Sequence, residues 1–199
     1  MGMESHDGGG EENVPRPPEF ADLKRLCAEL NRLGARYVVV GGFAIIQHGF
    51  QRFTQDIDLL IETTPENEAR VIQALLIFPD QAAAQIKPGD VGEYGVIRVG
   101  DEVLVDLMKS GCGVSYAEAA ADVMVAEMDG VRIPFASAAT MWQMKKTNRE
   151  KDIPDRLFLR ELLTSQGVQI EPSEPTEPSD PITAWRQRFR AWWRASRKN

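Results

Sequence analysis

Two aspartates one residue apart, Asp56 and Asp58, open the apolar run Asp-Ile-Asp-Leu-Leu-Ile at 56–61. A β-strand alternates its side chains, so residues i and i+2 share a face. On that geometry Ile57, Leu59 and Ile61 enter a core, while Asp56 and Asp58 point the other way, roughly 7 Å apart along the strand. Two carboxylates side by side repel and are costly to desolvate. A hard cation that prefers oxygen ligands, such as Mg²⁺, resolves the conflict. A third acid, Asp106, interrupts a second apolar run, Val-Leu-Val-Asp-Leu-Met at 103–108. With Val103, Val105 and Leu107 on the core face, Asp106 lies on the other face between Leu104 and Met108. Carboxylates are seldom buried without partners. Two arrangements fit: an edge strand with Asp106 in water, or a metal site shared with Asp56 and Asp58.

Three further features could serve a phosphate. Gly41-Gly42 ends an apolar run, with thirteen residues between it and Asp56. Glycines let a phosphate approach the backbone, and a helix N-terminus offers N–H donors and the positive end of a dipole. The same pair also fits an ordinary tight turn. Arg52 and Thr54 precede the acidic strand, and Arg52 is either a phosphate contact or a solvated loop residue. The charge run from Lys145 to Asp155 reads as solvated surface or, at a helix junction, as a phosphate contact through Lys145 or Arg149.

The elements that must position these residues follow from periodicity. Phe20, Leu23, Leu26, Leu30 and Leu33 recur at steps of three or four, which predicts a helix over 18–33 with Gly34 after its end. A buried strand follows at 36–40, a short helix at 43–48, and the acidic strand at 56–62. Thr64-Pro65 opens the next helix, with Val71, Leu75 and Phe78 facing the core and Pro79 stopping it. The Ala-rich segment 80–87 predicts a further short helix. Residues 94–99 and 103–108 form a hairpin around Gly100-Asp-Glu102. A short helix is expected over 116–122. A second hairpin spans 123–135 around Asp129-Gly130, with a helix capped by Ser137 and another over 153–163 after it. The pattern is α+β (α/β in outline), a small mixed β-sheet flanked by helices.

Composition narrows the function classes. With 199 residues and 43% apolar content the chain suits one domain plus tails. No run reaches the roughly 18 apolar residues of a membrane span. Residues 1–17, acidic and Gly-rich at the start, lack the basic and apolar regions of a secretory signal and read as a disordered leader on a cytoplasmic protein. Residues 168–181 form a linker that contains an acidic Pro repeat. The tail at 182–199 carries six bases and no acid, leaving 17 bases against 30 acids, a net charge of −13, in the other 181 residues. An acidic body argues against broad nucleic-acid binding by the domain at 18–167. In the tail, Ile182, Trp185, Phe189, Trp192 and Trp193 fall on one helical arc of roughly 100°, suited to a membrane surface, an RNA, a partner groove or the acidic domain itself. Cys27 lies in the first helical pattern and Cys112 in a Gly-Cys-Gly turn. With His6 and His48 they make no zinc-ligand spacing, and no disulfide is expected.

The ordered combination of Gly41-Gly42, Asp56-Ile57-Asp58 and Asp106 resembles the nucleotidyltransferases of the DNA polymerase β superfamily. The fuller pattern, Gly41-Gly42-x-Ala44, His48-Gly49 and Arg52-x-Thr54-x-Asp56-Ile-Asp58-Leu59, is similar to the AbiEii-like branch and to the aminoglycoside- and lincosamide-modifying branches. Met144-Lys145, Arg149, Asp152 and Asp155 also resemble a late motif of the AbiEii-like group. The resemblance covers roughly 20–165 and leaves out the linker and tail. It implies transfer of a nucleoside monophosphate from an NTP to an acceptor hydroxyl, with Mg²⁺ (or Mn²⁺) in a two-metal site. By that resemblance Asp56, Asp58 and Asp106 bind metal, and Asp106 also helps deprotonate the acceptor. Gly41, Gly42, Arg52, Thr54 and Lys145 meet the nucleotide. It leaves the acceptor (RNA, protein or small molecule) and a cognate partner protein unspecified. The alternative is a non-catalytic nucleotide-binding or toxin–antitoxin module of the same fold; the presence of all three acids favours the enzyme.

Overall fold

The computed structural model describes residues 14–147 and 149–169. They fall into two compact units, one through Met144 and one from Lys145 onward. The first contains α1 (Phe20–Arg32), β1 (Tyr37–Val40), α2 (Gly41–Gln47), β2 (Asp56–Ile61) and α3 (Pro65–Leu75). It continues with α4 (Asp90–Tyr94), β3 (Val96–Gly100), β4 (Leu104–Met108), the small ribbon of β5 (Ser110–Gly111) and β6 (Val114–Ser115), and α5 (Tyr116–Ala120). It ends with β7 (Val123–Met128), β8 (Val131–Ala136) and α6 (Ala138–Met144).

Six strands form one mixed sheet in the order β3-β4-β2-β1-β8-β7, giving the α+β architecture that the pattern predicts. β1 lies mid-sheet and all four of its residues are buried, as an unbroken Tyr-Val-Val-Val run requires. β2 is buried at Ile57, Leu59 and Ile61 and only half-buried at Asp56 and Asp58, the alternation expected, while Leu60 at its far end is buried as well. Leu23, Leu26 and Leu30 bury the apolar stripe of α1, which lies against β8 and α3. Asp129 and Gly130, with φ of 49° and 80°, make the left-handed two-residue turn of the β7–β8 hairpin.

Three local predictions are corrected. The Ala-rich segment forms one 3₁₀ turn, Ala82–Gln85, rather than a helix, because buried Asp101 takes the amides of Asp80 and Ala82 at 3.0 and 2.9 Å. The strand expected from residue 94 begins at Val96, behind α4. That short helix contains Gly92 and shows no periodicity of its own. It forms where buried Glu68 accepts its first amides, Gly89 N–H at 2.7 Å, Val91 at 3.1 Å and Gly92 at 2.9 Å. Residues 14–17, assigned to the leader, include Arg16, which bridges in parallel to Val103 and donates to both oxygens of Asp22 at 2.7 and 2.8 Å. The linker and tail from residue 170 lie outside the described residues, as does the leader through residue 13.

The Arg16 contact sets an acid response. Its guanidinium holds the Asp22 carboxyl below the usual carboxylate range, against the opposing effect of burial and with help from the Glu19 amide. A carboxyl depressed on folding contributes stability that is full above its unfolded pKa and lost as pH falls through the folded one. Urea midpoints are therefore expected to drop between about pH 5 and pH 3, and Asp22→Asn to reduce that drop while lowering stability at pH 7.

The two cysteines differ sharply. Cys27 is fully buried in α1, and burial pushes its thiol up to about 12. Cys112 is exposed in the β5–β6 turn. Titration with a disulfide reagent at pH 8 is expected to show one fast thiol, lost in Cys112→Ser, and a second only on unfolding.

In the second unit a 3₁₀ turn, Glu150–Asp152, runs directly into α7 (Ile153–Ser165). Leu159 and Leu163 are buried there, whereas Leu157 is 47% exposed. Gly167 at φ 77° ends the helix, with Val168 N–H returning to the Leu163 carbonyl at 3.0 Å. Among the described residues no helix is long and apolar enough to cross a membrane.

Candidate active site

Strand register assembles the site. β2 runs antiparallel to β1 with Asp58 opposite Val40, and parallel to β4 with Asp58 opposite Asp106. β4 in turn pairs antiparallel with β3, which sets Arg98 opposite Asp106. Directly opposed residues share a sheet face. One row across four strands therefore reads Val40, Asp58, Asp106, Arg98, with Asp56 two residues along from Asp58. One carboxylate oxygen from each of Asp56, Asp58 and Asp106 lies within 4.8 Å of the others. β4 lies inside the sheet, between β2 and β3, so Asp106 is not on an edge strand; it is 9% exposed.

Three like charges on one face require a counter-charge. Arg98 supplies part of it. Its Nε and Nη2 donate to the two oxygens of Asp106 at 2.8 and 2.7 Å, and Nη2 also reaches Asp56 Oδ2 at 3.3 Å. This is the bidentate geometry that a planar guanidinium favours. The Asp106 carboxylate, above all through these hydrogen bonds, raises the Arg98 pKa further and keeps it charged. Arg98 is not among the residues that the motifs nominate; its signal in the sequence is an arginine on the same face of the hairpin as Asp106.

The glycine pair is explained by what presses on it. Gly41 has φ +63°, and a Cβ there would sit 1.8 Å from Asp58 Oδ2. A Cβ on Gly42 would sit 2.2 Å from Thr54 Oγ1. Both values are far below any real contact, so the pair brings the backbone against the Asp58 carboxylate and the Thr54 side chain. α2 begins at Gly41 itself rather than after the pair. At its other end His48 Nε2–H donates to the Ala136 carbonyl at 2.8 Å, which pins α2 to β8. Thr54 Oγ1 donates to the Asp56 carbonyl at 3.1 Å, closing the loop that leads into β2. Half-buried Arg52 donates from Nε to the Phe53 carbonyl at 3.1 Å, beside a Phe53 ring that is 97% exposed.

Lys145 belongs to the second unit, where its ammonium meets Asp152 at 2.8 Å and Asp155 at 2.9 Å. Both carboxylates are buried. Arg149 adds a contact to Asp152 at 3.1 Å, and the Thr147 hydroxyl donates to it. Burial works to raise the Asp152 pKa, but Lys145 and Thr147 outweigh it and hold the carboxyl below its ordinary value. The charge run is thus partly internal, tying the start of this unit to the first turn of α7. Among the described residues, these two carboxylates engage two of the three donors of Lys145.

The donor set fits a hard divalent cation. It is made of carboxylate oxygens alone, gathered on a half-open face, with no thiol or imidazole among them. Mg²⁺ holds its oxygens at about 2.1 Å, so ligands on one ion stand about 3–4 Å apart. The three acids need only small side-chain adjustments to share one or two such ions.

No family model and no curated protein matches the chain. Among solved structures the chain is similar to an antigenic nucleotidyltransferase-like protein from Paracoccidioides brasiliensis. The identity is 15% over 88% of this chain and 89% of that one, with a TM-score of 0.47. It is also similar to the antibiotic-resistance factor ANT(2'')-Ia, at 15% identity over 89% of this chain and 96% of that one, with a TM-score of 0.45.

Proposed function

We propose that the chain is a metal-dependent nucleotidyltransferase, moving a nucleoside monophosphate from an NTP to an acceptor hydroxyl. The observation that carries this reading is the convergence of Asp56, Asp58 and Asp106 within 4.8 Å on one sheet face, against the Gly41 backbone. In the reaction the acceptor oxygen bonds to the α-phosphorus. The bond from that phosphorus to the bridging oxygen breaks, and pyrophosphate leaves with the electron pair. Bound Mg²⁺ or Mn²⁺ would neutralise charge on the phosphate oxygens and on the attacking and leaving oxygens.

The protein's own part is positioning. Asp56 and Asp58 would hold cation on the triphosphate side, and Asp106 on the acceptor side, where it would take the hydroxyl proton. The amides of Gly41 and Gly42 would meet phosphate oxygens, with Thr54 supporting the loop beside them. Arg52 and Lys145 are proposed as further phosphate contacts. RNA, a protein or a small molecule would serve as acceptor, in the cytoplasm, with the 182–199 tail as a second contact surface. The complete acid set favours this reading over a non-catalytic nucleotide-binding or toxin–antitoxin module.

The test is a labelling reaction with each of the four α-labelled NTPs, Mg²⁺ or Mn²⁺ and a cell extract. Label is expected to enter an acceptor with the wild type and not with Asp58→Ala. Absence of labelling across metals, nucleotides and extracts would sink the proposal.

A further inference from the structure

We infer that Arg98 couples metal binding to nucleotide binding: it guards the acid triad until a triphosphate arrives, then moves to the phosphates. This rests on the nucleotidyltransferase reading and adds a positioning residue to it. The register of β3 against β4 places Arg98 directly opposite Asp106, so its guanidinium reaches both Asp106 oxygens and Asp56 Oδ2. Two of the three proposed metal ligands are therefore already held by a cation.

A metal arriving alone must compete for those oxygens and approach a positive charge a few ångströms away. A metal arriving with a triphosphate meets a different balance, because the phosphate oxygens offer the guanidinium another strong bidentate partner. Arg98 can make that exchange. Its side chain is 57% exposed, and among the described residues its hydrogen bonds go to these two carboxylates alone. It stands on the edge strand of the sheet, flanked on its own face by exposed Val96 and Gly100. The result is a site with little affinity for free metal and full affinity for the metal–nucleotide pair.

The experiment measures Mn²⁺ binding directly, by the loss of free-ion electron paramagnetic resonance signal. The full chain is titrated with and without α,β-methylene analogues of the four ribonucleotides, which cannot be turned over. Wild type is expected to bind Mn²⁺ at least about tenfold more tightly with its preferred analogue than without. Arg98→Gln should bind Mn²⁺ about tenfold more tightly than wild type in the absence of nucleotide and lose most of the coupling. Arg98→Lys, which keeps the charge, should retain part of it. Thermal melting confirms that each variant is folded. Equal nucleotide-free affinity in wild type and Arg98→Gln overturns this inference and leaves the parent reading standing. Failure of wild type to bind Mn²⁺ in either state overturns both.

Discussion

Asp58→Asn is expected to lower the rate of nucleotidyl transfer by about 10³-fold while leaving the protein folded. Asp58 faces Asp106 directly across the β2–β4 pair, with Asp56 two residues away on the same strand. On the proposed mechanism the substitution removes a metal ligand and leaves the strand pairing in place. Asparagine preserves the volume, so the clearance against Gly41 is kept. Asp106→Asn should differ, because it weakens the grip on Arg98 as well. Its stability cost should be no more than about 1 kcal/mol, since the guanidinium is largely in water. Initial rates with labelled NTP, set beside thermal melts, check both variants. Activity within tenfold of wild type in Asp58→Asn would remove Asp58 from the proposed machinery.

Gly41→Ala is expected to be the most damaging single-methyl change in the described chain. A left-handed φ of +63° costs a residue with a Cβ about 1–2 kcal/mol. The added carbon would also stand 1.8 Å from Asp58 Oδ2, so the carboxylate or the backbone must move. Together these should cost about 3 kcal/mol, or roughly 6–12 °C in melting temperature. The rate should fall by about 10² or more, because Asp58 no longer sits where it did. Gly34→Ala supplies the control. Gly34 has nearly the same φ, +64°, but nothing lies within 4 Å of its added Cβ. It should cost about 1 kcal/mol and leave the rate alone. If the two variants melt together, the pressure of Asp58 on Gly41 is not a feature of the folded protein in solution.

Much of the site was legible from residue spacing because strand alternation is a local rule. Asp56 and Asp58 on one face, and Asp106 on the non-core face of its own strand, follow from period two without knowledge of the partner strands. Register is a different matter. The turn expected at Gly100-Asp-Glu102 would set Arg98 opposite Leu104. The observed pairing joins Gly100 to Leu104 and Arg98 to Asp106, a slip of two residues. A slip of two keeps every side chain on its face, so Arg98 shares the face of Asp106 in either register and only the observed one sets the two directly opposite. In the observed loop the buried Asp101 carboxylate accepts the amides of Asp80, Ala82 and Glu102, and the first two are long-range bonds that turn chemistry alone does not encode.

The same division runs through the whole protein. Apolar period, glycine pairs, Asp-Gly turns and Ser or Thr caps are short-range signals, and the sequence by itself determined the main helices, the strands of the sheet and the faces of the three acids, but not α4, the β5–β6 ribbon or the register of the first hairpin. Tertiary structure alone decided which distant groups neutralise one another. Glu68 created α4, Arg16 drew residues 14–17 onto the fold, and Lys145 turned inward to Asp152 and Asp155. In each case a buried carboxylate had to find a partner off its own element or lose its solvation, from 6 residues away for Asp22 to 24 for Glu68, and no apolar period encodes which partner that is. The glycine pair shows both halves: its spacing from the two acids is written in the sequence, and only the packed fold sets Gly41 against the Asp58 carboxylate and Gly42 against Thr54.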